Sequence, residues 1–340
     1  MPIRCLGLML VVMATACGLP KDVESVDPPM NTSASSDAGV VTPEPPFRFA
    51  CDHGQALQDG LNRNMTLNGG LGTRNVTVEF PRVDRGTKMP IIFGWHGMGD
   101  NVGNFKRALN LGAGSDEFPF ILVLPESTNM NFLDPDRPGV DWDNLDSVTG
   151  DNNKEVALVE SVIGCLMNYD DIAWDQIYSF GFSAGALATN MLHSRLPHVF
   201  AATAALSGAW FNDPDQIDLL DPSGRGANLG IEPDPVWDPL FPEDRGVVLL
   251  THGGSQDNYG VMGIEVINFE SAHTATIDHM AENNRLLVDC AHTTGHRPHP
   301  QLSKQHYFNF LSAHRLGQPS PYLTDGLPSE LSGPCVLRLP

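Results

Sequence analysis

The stretch "QIYSFGFSAGALATNMLHSRL", residues 176–196, decides the fold class because its pattern changes in the middle. The residues before Gly181 form an apolar run typical of a buried strand, whereas those after Gly185 have the composition of a helix. Ser183 lies between them in the motif "GFSAG". These five letters alone are a weak signal in a chain with 33 glycines among 340 residues, so the surrounding pattern must decide. A strand, a sharp turn and a helix in this order expose the serine hydroxyl at the edge of a sheet.

The rest of the chain alternates between strand-like and helix-like segments. Apolar runs lie at 74–80, 90–95, 118–125, 176–182, 201–206, 246–253 and 285–290, and helical patterns at 153–169, 185–196, 271–284 and 303–317. This order predicts an α/β domain over residues 47–340, with a doubly wound, mostly parallel sheet and helices on both faces. Residues 210–246 break the alternation with many prolines and glycines, and we expect them to form an irregular, cap-like insertion.

The charge balance limits the partners of the domain. The chain has 41 Asp and Glu against 20 Lys and Arg, a formal net charge of -21. Such a surface repels nucleic acid and anionic lipid, so we expect no nucleic-acid partner. A neutral or weakly polar small molecule or polymer suits it better.

The N-terminus has the pattern of an export signal. Arg4 precedes the apolar run "CLGLMLVVMA", and the small residues of "ATAC" lead to Cys17. We predict a lipoprotein-type signal peptide over residues 1–17, with lipid attachment at Cys17, although Ala14 stands where the lipoprotein pattern prefers Leu. Secretion without a lipid and a cytosolic apolar terminus are the alternatives. Residues 18–46 lack an apolar period and predict a disordered linker, so membrane contact would come only through the lipid anchor of an exported protein.

Cysteine usage agrees with an oxidising compartment. Apart from Cys5 and Cys17, four cysteines remain: Cys51, Cys165, Cys290 and Cys335. An even number in an exported chain predicts two disulfides, with three pairings open. Buried free thiols are the alternative. No CxxC pair occurs, so the spacing does not favour a zinc site.

A serine nucleophile needs a base and an orienting carboxylate, and on this fold they follow in the order Ser, Asp, His. Asp257 lies in a glycine-rich turn directly after the apolar run 246–253. Asp278 falls in a helical pattern and Asp289 in a strand, so we favour Asp257 as the acid. Its presence in a turn could also reflect only the turn preference of aspartate.

Three histidines follow the last apolar run of the sheet, in "CAHTTGHRPHP": His292, His296 and His299. His296 follows a glycine in the middle of the loop, where the backbone can turn the ring toward Ser183, so we favour it as the base. No HExxH motif accompanies these histidines, and we expect neither a metal nor a cofactor.

The segment "IIFGWHGMGDN", residues 91–101, is a buried strand followed by a turn. Such turns supply one backbone N–H of an oxyanion hole, and the residue after the nucleophile supplies the other. We therefore expect the N–H groups of Met98 and Ala184 to form the hole, and His96 to support the turn rather than act as a base.

Five segments together carry a family resemblance: "GWHGMGDN", "WDQIYSFGFSAGALATNML", "FAATAALSGAW", "THGGSQDNYG" and "CAHTTGHRPHP". They resemble the extracellular esterases grouped with polyhydroxybutyrate depolymerases, feruloyl esterases and acetylxylan esterases, within the α/β-hydrolase superfamily. The resemblance covers most of the chain after about residue 70 and implies a triad of Ser183, Asp257 and His296. Two departures concern substrate choice. Ala186 stands where the family commonly has a further glycine, and Arg297-Pro298 where it has Trp-Pro.

These features predict an exported serine esterase that forms an acyl-enzyme and needs no cofactor, acting on polyester or plant-cell-wall-type esters. Two alternatives come from other classes. One is a surface-tethered binding protein that keeps an idle hydrolase scaffold, which the complete set of triad residues disfavours. The other is a peptidase of the same fold, which would usually carry a large additional domain.

Overall fold

The computed structural model describes residues 45, 47–84, 86–114, 118–127, 142–143, 152–210, 246–261 and 264–339. The expected signal peptide, almost all of the expected linker and the interior of the expected insertion at 210–246 lie outside the described residues. The division of the chain into these segments therefore stays a prediction. None of the described helices has the length and apolarity that crossing a bilayer requires.

Within the described residues, nine strands form one sheet in the order β1-β2-β4-β3-β5-β6-β7-β10-β11. Its strands are β1 Gly60–Thr66, β2 Thr73–Glu79, β3 Met89–Trp95, β4 Ile121–Pro125, β5 Ile172–Phe182, β6 Ala202–Leu206, β7 Val247–His252, β10 Leu287–Ala291 and β11 Val336–Arg338; β8 Asn258–Val261 and β9 Ile264–Asn268 pair separately. Strands β4 to β10 along this order run parallel, and the β1–β2, β2–β4 and β10–β11 pairs are antiparallel. The sheet is mostly parallel, as the sequence predicts.

Helices cover both faces of this sheet. They are α1 Val102–Leu109, α2 Lys154–Leu166, α3 Ala184–Arg195, α4 Phe269–Glu282, α5 Lys304–Ser312, α6 Tyr322–Asp325 and α7 Ser329–Ser332. Buried side chains form two apolar clusters, one including residues of α2, α3 and α4 and the other residues of α1, α5, α6 and α7. Neighbouring residues of β3 enter different clusters, Ile91 and Ile92 for example, because successive strand side chains point to opposite faces. The doubly wound α/β prediction is confirmed.

Several elements differ from the sequence expectations. The strand expected at 118–125 begins only at Ile121, after Pro119, which has no N–H to donate to a sheet. The helix expected over 303–317 ends at Ser312, and the N–H of Leu316 donates instead to the carbonyl of Asp175 at 2.8 Å. Edge strand β1 was not predicted, because its sequence "GLNRNMT" keeps only two of its seven residues buried.

Two disulfides join Cys51 to Cys165 and Cys290 to Cys335, which selects one of the three possible pairings. The first links the segment before β1 to α2 across 114 residues, and the second links β10 to the segment before β11 across 45 residues. Closing loops of this length stabilises a chain by on the order of 4 kcal/mol each, mainly by restricting the unfolded state.

Candidate active site

Ser183 occupies a strained turn between β5 and α3. Its φ of 58° and ψ of -123° lie in a region that residues with a side chain rarely adopt. Three backbone hydrogen bonds hold it there: its N–H donates to Leu206 O at 2.9 Å, and its carbonyl accepts from the N–H groups of Ala186 at 2.8 Å and Leu187 at 3.1 Å. The serine side chain is therefore presented at the carboxyl end of β5 in a fixed direction.

The two glycines of "GFSAG" are required by close backbone approaches. A Cβ on Gly181 would lie 2.1 Å from the carbonyl oxygen of Gly185. A Cβ on Gly185 would in turn lie 2.1 Å from the carbonyl oxygen of Trp95 on β3. Neither space admits a carbon atom, so α3 can pack this closely on β3 and β5 only with glycine at both positions.

The structure brings Ser183, His296 and Asp257 together in one hydrogen-bonded series. His296 Nε2 lies 2.9 Å from Ser183 Oγ, and His296 Nδ1 lies 2.6 Å from Asp257 Oδ1. Asp257 is fully buried, whereas a quarter of the His296 side chain is exposed, at 25%. A carboxylate, an imidazole and a hydroxyl in this order can pass the hydroxyl proton to the imidazole.

The second oxygen of Asp257 is also fully engaged. Its Oδ2 accepts from the Gly253 N–H at 2.6 Å and from Ser207 Oγ at 2.8 Å. Burial raises the pKa of Asp257, but the hydrogen bonds from His296, Gly253 and Ser207 together outweigh burial and hold it below its ordinary value. The side chain is thus an anion at neutral pH, as an orienting carboxylate must be.

Aromatic rings fix the plane of the His296 imidazole. Phe269 stacks on it with ring centres 4.9 Å apart and an angle of 13°, and Phe182 contacts it at 4.8 Å. The backbone N–H of Phe269 also donates to the backbone carbonyl of Asp257 at 2.8 Å. The ring can therefore rotate little between its two hydrogen-bond partners.

Sequence reasoning missed Ser207 and Phe269. Ser207 follows β6 directly, and it has a left-handed φ of 55°. Its position at a strand end was the one available signal, because functional residues gather there. Phe269 begins α4, and nothing in its sequence position indicates that it faces an imidazole 27 residues later; only the tertiary fold does so.

The alternative histidines are engaged elsewhere. The Nδ1 atoms of His292 and His299 accept backbone N–H groups of Thr294 and Gln301 at 3.2 and 3.1 Å, and the two rings meet edge to face at 4.9 Å. Burial lowers the pKa of both rings. Among the described residues, His296 is the histidine that lies within hydrogen-bond distance of Ser183 Oγ.

The turn after β3, residues 96–101, lies against the nucleophile. We call it the oxyanion turn. A Cβ on Gly97 would lie 3.5 Å from the Cβ of Ser183, so the turn packs directly against this serine. Two backbone N–H groups border the contact in sequence: that of Met98, which follows Gly97, and that of Ala184, the first of α3. Within the part of the chain that the structure describes, no turn or loop carbonyl accepts from either N–H. These two N–H groups are therefore the candidates for an oxyanion hole.

His96 supports this turn, as the sequence suggests. The ring is buried and its Nδ1 lies 2.8 Å from Gly97 O, while Trp142 Nε1 donates to His96 O at 2.8 Å. Glu126 bridges the two ends of the turn: its carboxylate lies 3.6 Å from His96 Nε2 and accepts the Val102 N–H at 3.2 Å.

Comparison with solved structures identifies the fold. Native pOPH superposes with a TM-score of 0.65 over 86% of this chain and 97% of that chain, at 14% identity. Native sOPH superposes with a TM-score of 0.62 over 86% and 97%, at 17% identity. The chain has the α/β-hydrolase fold. At these identities the likeness concerns the fold alone.

Sequence comparisons match part of the chain to known esterases. The family model described as Esterase PHB depolymerase matches residues 77–236, just under half of the chain. Feruloyl esterase B of Thermothelomyces thermophilus is 27% identical over 127 residues, 37% of this chain and 41% of that protein. Feruloyl esterase B of Neurospora crassa is 30% identical over 122 residues, 36% of this chain and 40% of that protein. The match therefore spans about two fifths of these relatives' length.

The family match covers the oxyanion turn and Ser183 but ends before Asp257 and His296. The places of the acid and the base thus depend on the geometry of this chain rather than on the family match.

Proposed function

We propose that the chain is a carboxylic ester hydrolase in which Ser183 is the nucleophile, His296 the general base and Asp257 the residue that orients it. The hydrogen-bonded series from Asp257 through His296 to Ser183, on a strained turn, carries this proposal. The Esterase PHB depolymerase match and the feruloyl esterase relatives support ester hydrolysis as the reaction class.

In the first half of the reaction, His296 Nε2 takes the proton of Ser183 as Oγ attacks the ester carbonyl. The carbonyl oxygen becomes an anion, which accepts hydrogen bonds from the N–H groups of Met98 and Ala184. Each such donor typically stabilises the transition state by on the order of 3 kcal/mol. The protonated His296 then gives its proton to the departing alcohol, leaving an acyl group on Ser183.

In the second half, a water molecule takes the place of the alcohol. His296 removes a proton from it, the water oxygen attacks the acyl carbonyl, and the acid product leaves as Ser183 regains its proton. Asp257 remains an anion throughout and stabilises the imidazolium that forms in each half. This chemistry proceeds without a cofactor.

For the substrate, we propose an ester of the polyester or plant-cell-wall type, neutral in charge because the chain carries a formal charge of -21. The two departures from the family pattern bear on it differently. Ala186 is fully buried, and Gly208 lies opposite it, where a Cβ would come within 2.9 Å of the Ala186 Cβ. Ala186 is therefore accommodated inside the protein, whereas Arg297 is exposed next to His296 and alters the rim of the site.

We further propose that the protein is exported, with residues 1–17 as its signal, a lipid on Cys17 and residues 18–46 as its linker. The two disulfides support export, because such bonds form and persist in oxidising compartments. Incorporation of a radiolabelled fatty acid into the wild-type protein and not into Cys17→Ser would support lipidation; equal labelling of both proteins would contradict it.

A fluorophosphonate probe tests the proposed activity directly, because it reacts with an activated serine. We expect labelling of the wild type, no labelling of Ser183→Ala, and unchanged labelling of Ser332→Ala, whose hydroxyl is exposed on α7. Hydrolysis of acetyl, feruloyl, hydroxybutyrate and short-chain nitrophenyl esters then defines the acyl preference. An unlabelled wild type would favour an idle scaffold, and cleavage of peptides in place of esters would favour a peptidase.

A further inference from the structure

A second cluster of potential metal-binding side chains lies at the end of β7, close in sequence to Asp257. His252 ends β7, His273 lies on α4 and Asp289 on β10. Each offers one nitrogen or oxygen donor, and these three atoms lie within 4.8 Å of one another. The proposed mechanism uses none of them.

The two oxygens of the Asp289 carboxylate have different partners. Asp289 Oδ1 lies 2.7 Å from His273 Nε2, while Oδ2 accepts from Arg338 at 2.8 Å through Nη2 and at 3.2 Å through Nε. Arg338 therefore binds the carboxylate oxygen that His273 does not contact. It orients the carboxylate in the way that outer hydrogen-bond partners orient metal ligands.

The histidines approach each other from two different elements. The ring centres of His252 and His273 are 4.3 Å apart. His273 and Asp289 are buried, with 2% and 6% exposure, whereas His252 is only partly buried. The cluster thus has two inner donors and one that borders solvent, which gives an ion a route of entry.

We propose that His252, His273 and Asp289 bind one divalent transition-metal ion of the zinc type, with water in the fourth position. Two imidazoles and one carboxylate are the donor set that zinc prefers, whereas magnesium and calcium need a larger set of oxygen ligands. Ligands at about 2.0–2.2 Å around a tetrahedral ion lie about 3.3 Å from one another, so the His273–Asp289 pair opens slightly and His252 moves inward.

The ion takes the place of the proton that His273 and Asp289 share. A histidine ligand must be unprotonated at the coordinating nitrogen, and a neutral ring meets this condition by carrying its hydrogen on Nδ1 instead. At His252, the Nδ1 atom accepts the N–H of Gly254 at a length of 3.2 Å. Rotation of the ring exchanges this long hydrogen bond for a bond to the ion.

The position gives the ion a structural role. It ties β7, α4 and β10 together one residue before Gly253, whose N–H holds Asp257 Oδ2 at 2.6 Å. His252 O also accepts the N–H of His292, at the start of the segment that carries the proposed base, at 2.9 Å. An ion at this place stabilises the segments of both the acid and the base, and its binding does not depend on whether the enzyme hydrolyses esters.

Calorimetry on the untagged, chelator-treated full chain tests the site with zinc chloride. We expect saturable binding of one zinc ion and a higher Tm, because an ion that binds only the folded chain stabilises it. Magnesium chloride should give no saturable heat. Absence of saturable zinc binding, or equally tight magnesium binding, would overturn the proposal.

Two variants test the histidine ligands, and a third is a control. His273→Gln keeps an N–H donor for Asp289 but loses the ring lone pair, and His252→Gln removes the solvent-side donor. We expect each to weaken zinc binding at least tenfold while circular dichroism stays unchanged. The matched control is His198→Gln, an exposed histidine outside the cluster, which should bind zinc as the wild type does. Unchanged affinity in both cluster variants would show that zinc binds elsewhere and would refute the site.

Discussion

Gly253 and Gly295 are in direct backbone contact: the Gly295 N–H donates to Gly253 O at 3.0 Å, and a Cβ on Gly253 would lie 1.9 Å from Gly295 O. Gly253 precedes the segment of Asp257, and Gly295 directly precedes His296. The contact therefore sets the separation between the proposed acid and base. It also explains, in steric terms, why glycine rather than another small residue stands at 253.

The first prediction follows from this contact. Gly253→Ala must push the two segments apart, which lengthens the His296–Asp257 hydrogen bond. We expect kcat on a nitrophenyl ester to fall by about a hundredfold, in line with the cost of displacing catalytic groups by about 1 Å. The control is Gly333→Ala, where a Cβ meets no atom within 4 Å and φ is -80°. Equal activity of both variants would contradict the spacing role.

The charge of Asp257 gives a second prediction. Asp257→Asn keeps the size of the side chain but removes the anion that orients and stabilises the imidazolium. In serine proteases the corresponding change costs about 10⁴ in kcat, and we expect a loss of that order here. Asp278→Asn, an exposed residue of α4 and another acid downstream of Ser183, is the matched control and should retain full activity. If only Asp278→Asn lost activity, Asp257 would not be the acid.

Glu126 supports a third prediction, on the oxyanion turn. Its carboxylate holds His96 on one side and the Val102 N–H on the other. Glu126→Ala should loosen the turn that carries Met98 and lower kcat about tenfold, with KM nearly unchanged, since losing one oxyanion donor entirely costs 10²–10³. Glu126→Gln keeps an acceptor for Val102 and should recover part of the rate.

A matched control separates this role from general destabilisation. Glu282→Ala removes an exposed carboxylate at the end of α4 and should leave kcat and KM unchanged. If Glu126→Ala raised KM and left kcat unchanged, Glu126 would act on substrate binding instead of on the oxyanion turn.

The sequence predicted the parts of the site that follow strands. Ser183, Asp257 and His296 each come after an apolar run, and the carboxyl ends of parallel strands meet at one edge of the sheet, so their meeting place could be inferred. Fixing the base among three histidines in one loop needed only the additional observation that Gly295 allows the backbone to turn.

Tertiary contacts supplied what the sequence could not. Ser207 and Phe269 contact the triad through packing of separate elements, and no local pattern signals it. Four cysteines allow three pairings until their positions in space are known. Strand β1 lies at one sheet edge, where exposed polar residues remove the alternation that reveals inner strands, and β11 at the other edge is only three residues long.

The fourth prediction concerns stability in acid and centres on His314, a buried residue just after α5. Its Nδ1–H donates to Phe310 O at 2.8 Å, its Nε2 accepts from Ser320 Oγ at 2.9 Å, and burial lowers its pKa to about 4. In the unfolded chain the pKa is about 6.5, so below that value the unfolded state binds the extra proton and stability falls as pH drops from 6.5 toward 4. This one group should remove about 2 kcal/mol of unfolding free energy between pH 7 and pH 4.5.

Urea unfolding of His314→Gln, which cannot titrate, should show a pH dependence smaller by that amount. The dependence should not vanish, because burial also lowers the pKa of His252 to about 4. Identical pH dependence in variant and wild type would mean that the pKa of His314 is the same in the folded and the unfolded chain, and would contradict the prediction.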